Sequence, residues 1–289
     1  MAYIDLFGET VEEGISLTEK FIEPPFTTLD ARSFRWQQRK AMWKSLGLKG
    51  ELGREAKTFH TQEWLKDKKD KDMSDTSIFD PVLCELLYTW FVEKGGKVLD
   101  CFCGGSTRGI IANYLGYKYT GIDIRKEQIE SNIEQSKKIL SENNQPNWLV
   151  GDSEKVLDTI NETFDFVFSC PPYFNLEVYS DLEGDISNTD DYDTFLVHYE
   201  NIIRKACEKL KKDGFACFVV GEVRDKKGNY IGFVPDTINI FKKIGMKYYN
   251  EGILLTSLGT AMLRANGNMK NKKLTKTHQN ILIFKKTEE

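Results

Sequence analysis

Residues 98–109 read VLDCFCGGSTRG. An apolar run that ends in an acid and turns through paired glycines into a helical pattern reads as strand, turn and helix. With no Cβ at the turn, the backbone can approach a ligand closely. About twenty residues on, a second run, 117–124 (YKYTGIDI), also ends in an acid, Asp123, placed to accept both hydroxyls of a ribose, with Ile124 beside it. A third acid, Asp152, follows the run 147–151 (NWLVG), where it can receive an adenine amino group. Gly104, Gly105 and Gly109 match neither G-x-G-x-x-G nor the phosphate-binding G-x-x-x-x-G-K-[ST] loop, which argues against pyrophosphate. Asp100, Asp123 and Asp152 at successive strand ends suit a cationic nucleoside such as S-adenosylmethionine (SAM).

Outward from this core, strands are expected at 97–102, 117–124, 147–151, 164–169 and 215–223. Helical patterns lie between them at 107–115, 126–140, 153–160 and 192–212. Alternation of this kind predicts an α/β fold with a mostly parallel sheet. A helix at 235–244, a strand at 247–255 and a last strand at 280–285 add an antiparallel edge hairpin, for a seven-stranded sheet. The hairpin connection, 256–279, is polar, basic and long enough to be functional or disordered. Residues 1–75 read as a helical extension, with a helix-like acidic stretch at 9–20 and a basic aromatic helix after Ser33. The low-complexity run KDKKDKD (66–72) follows, and residues 76–289 form the second domain.

The fourth strand runs into FDFVFSCPPYFNLEVYS, residues 164–180. Two prolines in succession donate no N–H and fix φ, so the loop presents rigid carbonyl oxygens with the Tyr173 ring beside them. Such a tip can accept hydrogen bonds from an exocyclic amine while the ring stacks on a planar base, and Phe174 is placed to line the same pocket.

VLDCFCGGSTRG resembles the SAM loop of the amino-methylating DNA methyltransferases, D-P-F-x-G-x-G-T-T, and SCPPY resembles their catalytic [D/N/S]-P-P-[Y/F] motif. The resemblance extends over residues 76–286. It implies a Rossmann-like SAM methyltransferase fold, with SAM held by Asp100, Phe102, Gly104, Gly105, Asp123, Ile124 and Asp152. Ser77 and Phe79, in SIFDPVLCELLYTWF, sit where those enzymes contact the methionine end of SAM. It also implies catalysis by Ser169, Cys170, Pro171, Pro172 and Tyr173: methyl transfer to an exocyclic amine of a flipped DNA base, adenine N6 ahead of cytosine N4. An RNA amine methyltransferase and a catalytically idle nucleic-acid-binding protein are the alternatives. The segment LDARSFRWQQRKAMWKSLGLKGELGR is similar to one found in phage- and plasmid-borne members, which suggests a restriction-modification context. Two departures stand out: Cys170 replaces Asp, Asn or Ser, and Ser106 replaces the last glycine of the loop. The missing side-chain acceptor must be supplied by Ser169, the Pro171 carbonyl or the Cys170 thiolate.

In 289 residues, 40 Lys+Arg against 44 Asp+Glu give a net charge of −4, which argues mildly against a partner held by overall positive charge. Its distribution qualifies this. Residues 31–71 hold twelve Lys/Arg against five acids, residues 264–286 hold seven and no acid, and residues 177–193 hold seven acids and no base. DNA contacts are therefore expected in 31–71 and 256–278, and the acidic segment leaves a lid, an acidic cap on a helix start (Ser187 to Asp191) or a homodimer contact open. No apolar run approaches the roughly 20 residues needed to cross a membrane, and the acidic start lacks a signal-peptide pattern, so a cytoplasmic protein is expected. Six irregularly spaced cysteines read as reduced thiols. Cys101, Cys103 and Cys170 come near neighbouring strand tips, but no fourth ligand at familiar spacing appears, so no metal is expected. Trp36 and Trp43, seven apart, read as a core-facing stripe ahead of direct base contact, and His198 as a packing residue rather than a base.

Overall fold

The computed structural model describes residues 3–4, 10–11, 16–48, 79–174, 182, 184–259 and 261–287. Ser77, the charged run 66–72 and residues 177–181 and 183 of the acidic segment lie outside the described residues. Near the N-terminus Tyr3–Ile4 (β1) and Thr10–Val11 (β2) pair antiparallel, so the helix expected at 9–20 reduces to α1 (Leu17–Phe21). Ser16 and Glu19 close its first turn as a capping box. Then come β3 (Thr28–Asp30), α2 (Phe34–Ser45) and α3 (Pro81–Phe91). The alternating body runs β4 (Lys97–Asp100), α4 (Thr107–Tyr114), β5 (Lys118–Asp123), α5 (Lys126–Ile139), β6 (Asn147–Val150), α6 (Ser153–Thr159) and β7 (Phe164–Ser169). It continues through α7 (Tyr192–Glu208), β8 (Leu210–Val220), α8 (Phe233–Lys243), β9 (Lys247–Leu255), α9 (Ala261–Lys270) and β10 (His278–Lys285).

The main sheet has the order β3-β9-β10-β8-β7-β4-β5-β6, eight strands where seven were expected. The hairpin is present, with β10 antiparallel to both β8 and β9. The eighth strand is β3, which runs parallel to β9 and covers the edge the hairpin would otherwise expose. The helix expected to run to 212 ends at Glu208, because residues 210–213 pair with β7 and with the end of β10 instead.

The chain steps from β4 outward to β5 and β6, then returns to the other side of β4 for β7 and β8. That reversal leaves a crevice beyond the carboxyl ends of β4, β5 and β7, where open α/β sheets bind ligands. Helices cover both faces. Period-two alternation along the strands sends Val98, Phe168, Val219 and Ile283 to one apolar layer and Leu99, Val167, Phe218 and Phe284 to the other. Gly109 lets α4 lie against β6, since a Cβ there would sit 2.5 Å from the Trp148 ring. No helix among the described residues is long and apolar enough to cross a membrane.

The extension is fastened by the stripe the sequence suggested. Trp36 and Trp43 are fully buried. Their indole N–H groups donate to Asp80 at 3.1 Å and to Glu85 at 2.7 Å, and Arg39 pairs with the same Glu85 from the side. Truncating either tryptophan to alanine removes apolar area and one donor to a carboxylate, at a cost of about 3–5 kcal/mol.

Candidate active site

Strand β4 ends in Asp100, whose carboxylate is completely buried and receives four donors. These are Arg108 Nε at 2.5 Å, Ser169 Oγ at 2.6 Å, the Tyr119 hydroxyl at 2.7 Å and the Phe102 N–H at 3.1 Å. Arg108 also donates to the carbonyls of Phe102 and Cys103, at 2.7 and 2.9 Å, and lies 4.6 Å over the Phe79 ring. Burial opposes the Arg108 charge, but the Asp100 carboxylate more than compensates and holds its pKa well above the ordinary value. This hub pins the loop 101–106 from beneath. Asp100 and Ser169 are completely buried and are not among the residues that line the cavity above them.

Asp123, at the end of β5, is on the wall itself. Its two oxygens accept the Gly104 N–H at 3.0 Å and the Arg125 N–H at 2.8 Å. Gly104 makes the approach by taking φ +49°, in the left-handed region. Burial raises the Asp123 pKa, with the Arg125 charge opposing. The carboxylate is held by these two N–H groups and by the Arg125 guanidinium 3.6 Å away, against the cost of its burial.

The cavity has a volume of about 420 Å3, within the usual range for a cofactor or nucleoside site. Phe79, Phe102, Gly104, Gly105, Asp123, Ile124 and Asp152 line it, together with Cys170, Pro171, Pro172 and Tyr173 from the loop after β7. Asp152 shares its carboxylate with α6, accepting the Glu154 N–H at 2.9 Å. At the tip, the Tyr173 hydroxyl receives Gln279 Nε2 at 3.4 Å and its ring meets Phe233 edge-on, centroids 5.8 Å apart. Phe174 does not line the cavity. Its ring packs on Tyr192 and Phe195 at 5.4 and 5.7 Å, in the apolar layer under α7.

Other groups on the wall lie outside the motifs. Gln37 and Lys40 come from α2, Asp80 from the start of α3, Asp185 from the segment before α7, and Thr256 and Ser257 from the connection after β9. Asp80 joins two of these regions, capping α3 through the Val82 N–H at 3.0 Å and taking Lys40 Nζ at 2.9 Å. Arg108 carried a readable signal: a cation in the first turn of a helix faces the positive end of the dipole, so it needs a nearby carboxylate. His198 Nδ1 lies 2.9 Å from Glu154 on a half-exposed helix face, away from the cavity. None of the six cysteines is in a disulfide, and burial pushes the Cys101 and Cys103 thiols up.

A model of the N6/N4 DNA methylase family matches residues 20–135 and 164–289. No curated protein matches the sequence. Among solved structures, the chain is similar to TrmN from Thermus thermophilus, at 14% identity and TM-score 0.47 over 71% of this chain. It spans 48% of TrmN, about half of that protein's length. Magnesium protoporphyrin IX methyltransferase from Synechocystis PCC 6803, with bound SAM, is similar at 14% identity and TM-score 0.46, over 72% of this chain and 79% of that one. A TehB-like SAM-dependent methyltransferase from Corynebacterium glutamicum is similar at 18% identity and TM-score 0.45, over 75% of this chain and 91% of that one. The family match takes in the β4 loop, Asp123, the Pro-Pro-Tyr tip and the basic hairpin connection together, and the chain belongs to the DNA methylase family, whose methyl donor is S-adenosylmethionine.

Proposed function

We propose that this protein methylates an exocyclic amine of a DNA base that is flipped out of the helix, adenine N6 ahead of cytosine N4. The observation that carries the reading is one shared cavity, lined by Gly104, Gly105 and Asp123 together with Pro171, Pro172 and Tyr173. Bound S-adenosylmethionine supplies an electrophilic methyl group to the amine nitrogen. Asp123 accepts the ribose hydroxyls, Asp152 the adenine amine, and Gly104-Gly105 leave room for the nucleoside.

The chain's part in the reaction is to position the amine and to draw on its protons. An exocyclic amine is a weak nucleophile because its lone pair is spread into the ring, and acceptors on both protons localise that pair. The Pro171 carbonyl is one acceptor. Ser169 is committed elsewhere, since its hydroxyl donates to Asp100 and receives the Phe102 N–H at 3.1 Å. Cys170, half-exposed on the wall, therefore stands as the second acceptor, a weaker one than the usual Asp, Asn or Ser. Tyr173, braced by Gln279 and Phe233, offers its ring to a base whose unstacking costs a few kcal/mol. Lys40 from the extension and Thr256 and Ser257 from the last connection flank this cavity, which supports DNA contacts from both regions. Candidate contacts at 49–71 lie outside the described residues.

The test is incubation with labelled SAM and unmethylated duplex DNA, single-stranded DNA or RNA, followed by nucleoside analysis. Label on an adenine or cytosine amine of DNA is expected. Label only in RNA favours the RNA alternative, and SAM binding without label in any substrate favours an idle protein.

A further inference from the structure

Beside the reaction cavity lies a second chamber of about 370 Å3, walled by the turn after β8, by α9 and by the start of β10. The two cavities share Thr256 and Gln279, and Gln279 is the residue that bonds the Tyr173 hydroxyl. Bare backbone at Gly221 brings the two still closer. A Cβ there would fall 2.1 Å from Lys276 Nζ and 3.6 Å from the Tyr173 oxygen.

The chamber's charge is unbalanced. Arg224, Arg264 and Lys276 line it against the single carboxylate of Glu222, so among the Lys, Arg, Asp and Glu side chains three positive charges less one negative leave +2. Glu222 is partly spent, because its Oε1 accepts the Val234 N–H at the start of α8 at 3.0 Å. Its Oε2 is buried without a hydrogen-bond partner among the described residues. Among the described residues, Lys276 Nζ donates to the Glu222 carbonyl at 3.5 Å. Burial pulls its pKa down to about 8, with the Glu222 charge opposing. Arg224 is held flat, 4.0 Å over the Tyr230 ring and donating to the Gly228 carbonyl at 2.7 Å. A fixed guanidinium plane, a second arginine and an under-neutralised lysine form a receptor for an anion with several oxygens. No acid occurs between residues 252 and 286 to compete for them.

We infer that this chamber holds a phosphodiester of the target DNA strand beside the flipped nucleotide, with Arg224, Arg264 and Lys276 as its ligands. The inference rests on the DNA reading above and adds where the strand enters. When a nucleotide turns out of the stack its flanking phosphates turn with it, and a cationic chamber adjoining Tyr173 captures them in register with the base. The unpartnered Glu222 oxygen is left for an N–H of the nucleotide.

The test uses the full-length protein with saturating SAM and an unmethylated mixed-sequence duplex. In the double variant R224Q/R264Q, and separately in K276M, KM for the duplex is expected to rise at least tenfold. The slope of log binding against log salt should fall by about one. SAM affinity should stay within twofold, and K226Q, at an exposed lysine outside the chamber, should change nothing. Unaltered KM and salt slope in both chamber variants, while the parent protein methylates the duplex, would overturn the inference. Loss of SAM binding in both variants would also overturn it, by making the chamber a support of the cofactor pocket. No transfer to the duplex by the parent protein, with transfer to RNA of matched length, would remove the DNA reading itself.

Discussion

Asp100 and Asp123 end neighbouring strands, β4 and β5, and in the sequence they look alike. One lies under the floor of the cavity and the other stands in its wall. Asp100 is completely buried, paired with Arg108 and surrounded by donors of the chain itself. Asp123 takes two backbone N–H groups, and burial raises its pKa. A strand-end acid is therefore not a ligand by position alone. What separates the two is how fully the protein's own donors satisfy the carboxylate.

The largest expected effect breaks this comparison if it fails. Asp100→Ala leaves the Arg108 guanidinium buried without its counter-ion and should destabilise the fold by about 3–5 kcal/mol, read as a drop in Tm. Normal Tm with lost SAM binding would make Asp100 a ligand like Asp123. Next, Asp123→Ala should weaken SAM by roughly a hundredfold or more, from lost charge-assisted hydrogen bonds, with Tm moving by only a few degrees. Third, Ser169→Ala should cost about 1–3 kcal/mol, because Asp100 loses a donor and the Phe102 N–H an acceptor, while methyl transfer survives at low temperature. Abolished transfer in a folded Ser169→Ala protein would return that hydroxyl to the reaction.

A smaller effect should follow from pH. Because burial raises the Asp123 pKa, the folded chain holds that proton more readily than the unfolded chain. Asp123 therefore costs stability as pH rises from the ordinary carboxylate value to its raised one, and no more above it. SAM needs the ionised form, so its affinity should fall as pH drops through the raised pKa. Titration by calorimetry should show this in the parent protein and not in Asp123→Asn. An identical profile in the variant would assign the titration to another group.

Much of this arrangement was legible in the residues. Strands β4 to β6 stand out because apolar runs are bounded by glycine turns and lead into acids, β7 by its apolar run, and the Pro-Pro-Tyr tip follows from its place after β7. What was hidden has physical reasons. Strand β3 is three residues long with only Leu29 buried, too short to show a period. Helix α9 lies mostly exposed, and among its residues only Ala261 is buried, so no apolar stripe marks it. The depth of Asp100 and Ser169 depends on Arg108 and Tyr119, which fold against them from other elements, and strand-end position carries no such information. Lys40 and Gln37 reach the wall because two tryptophans pull α2 onto α3, a tertiary consequence of a stripe that reads only as packing.

The central claim is that the Pro171–Tyr173 tip presents one DNA base to SAM held at the Asp123 wall. Its most direct test is methyl transfer from labelled SAM to unmethylated duplex DNA by the parent protein and by Pro172→Ala and Tyr173→Ala, with SAM binding measured alongside. The account predicts label on an exocyclic amine with the parent protein, and its loss in both variants while SAM still binds. Undiminished transfer by the variants would contradict it.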